Sequence, residues 1–290
     1  MEGVVSSKGG VYWENIVFLA VTHILGALGA AYCFTAGFSV WTGVLAAVWF
    51  LLCALSISSG YHRLFSHRTY RCASLVRIVY LLFGAASFQQ SVIRWASDHR
   101  THHAMTDEDG DPHNIRRGFW WAHMGWLFFR TSPPDLAGVR DLSSDPAILF
   151  QDKHYLSLAL FFGFLAPTLV ASLWGDSIGG FLVAGFLRLL VQDHATFSIN
   201  SVAHRFGSQP YSTSTSAKDC FVASILTMGE GYHNYHHRFP ADYRNGIRAY
   251  HFDPSKWAIW ILSRLGMAWD LKRVPREMAD RAAKYVSSGS

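Results

Sequence analysis

Residues 15–62, NIVFLAVTHILGALGAAYCFTAGFSVWTGVLAAVWFLLCALSISSGYH, run for 48 positions without an Asp, Glu, Lys or Arg. A bilayer core of ~30 Å takes about 20 residues of helix. The run therefore predicts two membrane spans, residues 16–37 and 41–61, joined by a tight turn between Gly37 and Trp41. A second uncharged run, His154 to Gly175, predicts a third span over 154–175 with Pro167 as a candidate kink. A fourth, over 178–200, carries Arg188, Asp193 and His194. Charges inside a span usually face a protein interior or a wet site.

Composition agrees with a membrane protein: of 290 residues, 50% are hydrophobic and only 16% charged. Neither short turn, 37–42 or 175–178, contains any of the 25 basic residues, so the positive-inside rule places both termini and the centre in the cytoplasm. The N-terminus lacks a basic n-region, so no cleavable signal peptide is expected, and Glu2 excludes a myristoylation pattern. Cys33, Cys53, Cys72 and Cys220 are scattered without a Cys-x-x-Cys and read as buried free thiols. Residues 1–12 and 285–290 read as loose ends. The expected fold is an all-α membrane protein, one domain over 1–290: four transmembrane helices and a cytoplasmic helical cap from 62–153 and 201–290.

What the second span leads into is a histidine cluster. His62-Arg-Leu-Phe-Ser-His67 is followed by His99-Arg-Thr-His102-His103 and His233-Asn-Tyr-His236-His237. Imidazole is the commonest metal-binding side chain. Eight histidines in three boxes are too many for one ion, so a two-metal centre is the reading. In His-x-x-His-His a helix puts i, i+3 and i+4 on one face. The i, i+5 spacing of the first box splays by about 140° on a straight helix. His62 is therefore expected at a helix end and His67 just past a break.

Residues 75–93 are apolar enough to suggest another span. A single crossing there would put the first two boxes on opposite sides of the membrane. The segment is read instead as an interfacial helix with Arg77 at the surface. Phe119–Phe129 and the Trp257–Trp260 helix read as interfacial too, or as packing within the cap. Each box lies near the cytoplasmic end of an apolar helix. The metal site should thus sit just above the membrane, at the mouth of a channel suited to a polar head on a long apolar tail.

From Tyr61 to Asp270 the sequence resembles the membrane-bound fatty acid desaturases, in particular the stearoyl-CoA (Δ9) branch. The resemblance rests on the three boxes in order and spacing. It rests also on Asp111-Pro-His-Asn, Arg116-Arg-Gly-Phe, Gly125-Trp126, Asn200-Ser-Val-Ala-His204 and Gly229-Glu-Gly-Tyr-His-Asn-Tyr-His-His. It implies a non-haem centre of two iron ions. The ligands would be His62, His67, His99, His102, His103, His204, His233, His236 and His237, with Asn200 holding a metal-bound water. Asn200 and His204, four apart, share a helix face. His113, His123, His154 and His251 read as structural or surface residues, and His194 is left open between structural and site roles.

The implied reaction uses O₂ and two external electrons to place a cis double bond in a saturated acyl chain. Zinc has no redox chemistry, whereas iron with O₂ has. Asp98 and Trp126 match the family's substrate side, and Arg130 fits a charge partner there; Arg130, Arg116, Arg117, Arg94 and Arg100 are candidates to face phosphates. Ser97, Gln90 and Phe197 stand where the animal enzymes carry Arg, Asn and Trp. A lipid- or carrier-bound acyl chain therefore stays open beside acyl-CoA. Asp98, Asp107, Asp111, Glu230 and Asp242 are candidates for orienting the imidazoles. Ser58, Leu55 and Leu51, four, seven and eleven residues before His62, are expected to line the acyl channel.

No haem-binding or Gly-x-Gly-x-x-Gly motif occurs, so electrons are expected from a partner such as cytochrome b5 or a ferredoxin. A net charge of +5 would attract an acidic one. No nucleic-acid partner is expected. The alternatives are a lipid hydroxylase on the same scaffold and, from another class, a haem- or metal-carrying membrane protein.

Overall fold

The computed structural model describes residues 10–129 and 136–289. Most of the expected loose N-terminal stretch lies outside the described residues, as does Arg130. The expected loose C-terminal stretch is instead helical as far as Ser287. Among the described residues the fold is helical apart from isolated bridges and two two-residue strands, β1 (Arg71–Cys72) and β2 (Ala268–Trp269), which pair antiparallel.

Helices α1 (Trp13–Tyr32), α2 (Val40–Ser66) and α7 (Tyr155–Ser172) are each long and apolar enough to cross a membrane. Their outer faces remain bare. Val17, Val21, Ile24 and Leu28 on α1, and Val44, Val48 and Leu51 on α2, are all exposed. Apolar stripes at helical spacing and this extent mean a solvent that is itself apolar. Helix α8 (residues 177–205) carries Arg188, Asp193 and Arg205 and is too polar to count with these three by composition.

Asp176 ties the two short turns together. Its carboxylate accepts from Ser39 N–H, Thr42 Oγ1, Tyr32 Oη and Gly179 N–H at 2.6–3.0 Å. Arg188 is buried in α8 and donates to the carbonyls of Ala86 (3.0 Å) and Gly163 (2.9 Å) and to Gln192. Gly163 lies in a π-helical stretch of α7, Phe161–Leu165, just ahead of Pro167. A π stretch is how a helix absorbs an irregularity without stopping, so Pro167 does not interrupt α7.

The segment expected as one interfacial helix over 75–93 is two helices. α3 (Ser74–Ala85) ends in a bend where Phe88 and Gln90 take positive φ, and α4 (Val92–Ala104) follows with the second box. α3 packs on the lower part of α2 through two reciprocal glycine–tyrosine contacts. A Cβ on Gly60 would lie 2.7 Å from Tyr80, and one on Gly84 would overlap the Tyr61 ring. Bulk at either position would push α3 off α2, at a cost of about 1–3 kcal/mol.

The other α-helices among the described residues are α5 (Phe119–His123), α6 (Pro146–Lys153), α9 (Phe221–Leu226), α10 (His233–Arg238), α11 (Pro254–Arg264) and α12 (Arg276–Ser287). Their main core gathers Tyr61, Phe65, Tyr70, Tyr80, Ile148 and Ile259 around the end of α2. The four cysteines are free, with Cys53 and Cys72 buried and Cys33 and Cys220 half-buried.

Candidate metal centre and its cavity

The last eleven residues of α2, Ser56–Ser66, are π-helical. The helix therefore runs on past His62, where an end was expected, and stops at Ser66, which leaves His67 just beyond it as expected. The wider turn brings i and i+5 onto one side, and His67 N–H donates to His62 C=O at 3.1 Å. The two rings stand 4.9 Å apart. Nothing in the i, i+5 spacing alone distinguishes this solution from a break.

The three boxes and His204 converge as two clusters. His62, His67, His99, His103 and His236 form one; His102, His204, His233 and His237 form the other. In each, the ligand nitrogens lie within 4.8 Å of one another. The contacts run Nε2 to Nε2. His62–His236 is 2.9 Å, His236–His103 2.9 Å and His67–His99 2.7 Å in the first cluster. In the second, His204–His233 is 3.0 Å, His233–His237 3.0 Å and His102–His237 3.2 Å.

Protein hydrogens alone do not satisfy this arrangement. His62 Nδ1 faces Glu230 Oε2 at 2.7 Å, so the hydrogen sits on Nδ1 and Nε2 keeps its lone pair. His236 Nε2 then meets two nitrogens, His62 and His103, with at most one hydrogen to share. In the second cluster His204 Nδ1 faces Ser216 Oγ at 2.7 Å, and that hydroxyl donates to Asp107. His204 Nε2 is thus also a lone pair, and His233 Nε2 meets both it and His237. A cation at each centre removes both conflicts. Two nitrogens at right angles around an ion with ~2.1 Å bonds lie about 3.0 Å apart, close to what is seen. An all-imidazole set suits iron, copper, nickel or zinc.

Three of the five acids expected from the sequence reach the clustered histidines, directly or through one hydroxyl. His102 Nδ1 faces Asp111 Oδ1 at 2.9 Å. Asp107 holds Ser216 and through it His204. Glu230 holds His62 and pairs with the fully buried Arg63 at 2.9 Å, which also meets Asp253 at 3.0 Å. Burial would raise the Glu230 carboxyl, but the Arg63 guanidinium and the hydrogen bonds from His62 Nδ1–H and Ser58 hold it down at about 2. Asp242 reaches no ligand directly; it accepts from the Tyr235 hydroxyl at 2.8 Å, inside the third box. Asp98 does not join this shell; burial, opposed by Arg94, pushes it up to about 6. Burial, with like-charge repulsion between the rings, drives His99, His102, His233, His236 and His237 well below the usual imidazole range. They therefore stay neutral, as a metal ligand must.

A cavity of about 200 Å³ opens against both clusters and extends between α1, α2, α4 and α8. Phe18, Leu19, Ile57, Phe88 and Phe197 give it apolar walls, and His62, His99, His102, His233, Asn200, Asp98 and Trp126 also line it. One polar chain ties its wall: Trp95 Nε1 donates to Gln89 Oε1 at 3.3 Å, and Gln89 Nε2 to Thr196 Oγ1 at 2.8 Å. Ser58 lines the cavity, but its hydroxyl is engaged with Glu230 and Ser255. Leu51 and Leu55 do not line it. Leu51 belongs to the exposed outer stripe of α2, and Leu55 is half-buried. The π stretch rephases the helix, so Ile57, five before His62, joins Ser58 on the cavity, whereas Leu55 and Leu51 do not reach it.

The other candidates from the sequence divide. Arg100 is committed to Asp141 in two contacts of 2.7 and 3.0 Å. Arg94 and Arg116 are exposed, and Arg117 stacks on Trp121. His113, read as structural, lines the cavity and groups with His102 and Asp111. His194 lies away from the centre, bridging His23 (3.1 Å) and His123 (3.0 Å). Sequence reasoning misses Ser216 and Arg63; an arginine closing an uncharged helix is the signal for Arg63.

The described residues thus combine helices long and apolar enough to cross a membrane with two all-histidine clusters able to hold metal ions, beside an apolar cavity. The profile described as fatty acid desaturase matches residues 39–260. The chain is 42% identical to a probable acyl-CoA desaturase of Schizosaccharomyces pombe, over 91% of this chain and 56% of that protein. It is 43% identical to acyl-CoA desaturase 1 of Saccharomyces cerevisiae, over 79% and 45%. With the Delta(9)-fatty-acid desaturase fat-7 of Caenorhabditis elegans it shares 38% identity, over 94% and 83%. The chain spans about half the length of the two yeast proteins. It belongs to the fatty acid desaturase family.

Proposed function

We propose that this protein is a membrane-bound, oxygen-dependent fatty acyl desaturase that places a cis double bond, at Δ9, in a long-chain saturated acyl chain delivered as the coenzyme A thioester. The observation that carries the reading is the convergence of nine imidazoles into two adjacent clusters beside an apolar cavity. The names of the relatives favour acyl-CoA over a lipid or carrier ester.

Two iron ions held by those nine histidines would supply, with O₂, the oxidising power to take hydrogen from an unactivated methylene pair. The chain's own residues do the rest. Glu230, Asp111 and, through Ser216, Asp107 fix ring orientation and keep each Nε2 free to bind. Asn200, one helical turn before His204, offers a further polar contact to the second cluster. Phe18, Leu19, Ile57 and Phe197 exclude water and hold the tail, and the Trp95–Gln89–Thr196 chain fixes the wall past which it runs. Regiochemistry needs that positioning, because the two carbons must be held against the metal pair. Asp98 and Trp126, also on the cavity, suit the head-group end.

In this reading α8 is a fourth span, the cap and both termini are cytoplasmic, and electrons come from an external one-electron donor such as cytochrome b5 or a ferredoxin. Expression in a desaturase-deficient host, followed by fatty-acid profiling, tests it. Restored monounsaturated chains with one double-bond position are expected. Hydroxylated chains, or no change from folded, iron-loaded protein, would contradict it.

A further inference from the structure

One face of α8 borders the cavity through Asp193, Thr196, Phe197 and Asn200, spaced i, i+3, i+4 and i+7. Three of these suit their surroundings. Phe197 is apolar, Thr196 Oγ1 accepts from Gln89 Nε2 at 2.8 Å, and Asn200 stands one turn before His204. Asp193 does not. It is 4% exposed, and among the described residues its carboxyl has no hydrogen-bond or ion-pair partner. Arg188, five residues earlier, would be the natural one. Its guanidinium is committed instead to the carbonyls of Ala184, Ala86 and Gly163 and to Gln192. The Tyr155 hydroxyl, also within electrostatic reach, meets Gln90 N–H at 3.0 Å.

A buried carboxyl without a partner is costly whether charged or neutral. A plain hydrocarbon tail would be served better there by another Leu or Phe, like Leu19, Phe18 and Phe88 on the same cavity. Asp193 lies seven residues before Asn200, about 10 Å of helix away from the histidine end of α8. A tail running along this face therefore meets the carboxyl beyond the carbons held at the metal pair.

We propose that Asp193 is a specificity residue that hydrogen-bonds a hydroxyl carried by the acyl chain beyond its reacting carbons, so that the cavity favours hydroxylated long-chain acyl thioesters over plain ones. This rests on the desaturase reading and names its substrate class. A hydroxyl both donates and accepts, so it can satisfy the carboxyl in either protonation state. A charged substituent would instead have to be desolvated between apolar walls. A site built to hydrogen-bond a substrate hydroxyl rejects the analogue lacking it, because its own polar group is then left unpaired.

The test uses the full chain in nanodiscs, without O₂ or reductant. It measures binding of stearoyl-CoA and of hydroxystearoyl-CoA isomers whose hydroxyl is walked along the methyl half of the chain. At least one isomer should bind about tenfold or more tighter than stearoyl-CoA. Moving its hydroxyl several carbons either way should remove the gain. Asp193→Leu should abolish the preference and tighten binding of stearoyl-CoA. Asp193→Asn, which keeps size and hydrogen bonding, should still favour the same isomer. A parent protein that binds no isomer better than stearoyl-CoA would overturn the proposal, because water alone would then serve the carboxyl. So would an unchanged preference in Asp193→Leu. The parent's ranking of isomers needs no variant to fold. Binding is read apart from turnover. An isomer preference without desaturation would therefore indict the desaturase reading, and desaturation of stearoyl-CoA without any preference would indict this proposal.

Discussion

His67 donates its backbone N–H to His62 C=O at 3.1 Å, five residues back, and this one π-helical bond puts both rings in the same metal-binding cluster. An α-helical turn would hold them about 140° apart. The π stretch also rephases the helix, so Ile57, five before His62, joins Ser58 on the cavity.

Deleting Ser59 should therefore damage the first cluster more than the second. Removing one residue from the π stretch lets it relax toward α geometry and turns His67 away from His62. The expected result, read by elemental analysis after anaerobic iron loading, is a fall from about two irons per chain toward one. Two tightly held irons in the deletion variant would contradict the role given to the π stretch.

Among the described residues, Glu230 is the sole carboxylate on His62 Nδ1 and one of two on buried Arg63. Glu230→Gln keeps the shape and removes the charge. Loss of such an outer partner costs about 10–100-fold in metal affinity. A competitive chelator titration should show that loss at one site of the pair. Equal weakening of both sites would mean a general loosening of the fold instead.

The cavity wall makes a paired prediction on acyl-chain selection. Ile57→Trp, on the wall, should shift products to shorter chains or stop turnover while iron stays bound. Leu51→Trp, on the exposed stripe, should leave chain length unchanged. The opposite pattern in product profiles would place the tail on the outer side of α2.

Much of the centre is legible in the sequence because ligand chemistry is local. Histidines at i, i+3 and i+4 share a helix face whatever the surroundings, so the second and third boxes read as clusters. His204, isolated in sequence, comes only through resemblance. The π stretch is not legible: α and π turns differ by one hydrogen-bond step, and tertiary packing of Gly60 and Gly84 against Tyr80 and Tyr61 accompanies it here. Leu51 and Leu55, expected along the acyl channel from α-helical spacing, are not among the residues that line the cavity. Ser216 is invisible because it reaches His204 from a loop fixed by Asp107, 109 positions earlier.

The proposed topology rests on the absence of Lys and Arg from the two short turns. Tags at residues 39 and 177 should face the non-cytoplasmic side, and tags at 70, 105 and 210 the cytoplasm. Opposite placement of 70 and 105 would mean that the segment containing α3 crosses the membrane, and that the first two boxes are not on one side.

The proposed centre is a pair of metal ions held by nine imidazoles. Mössbauer spectroscopy on protein reconstituted anaerobically with ⁵⁷Fe, alongside elemental analysis, measures it directly. About two irons per chain are expected, in two distinguishable nitrogen-rich environments, because one cluster offers five histidines and the other four. A single iron per chain under every loading condition would contradict it.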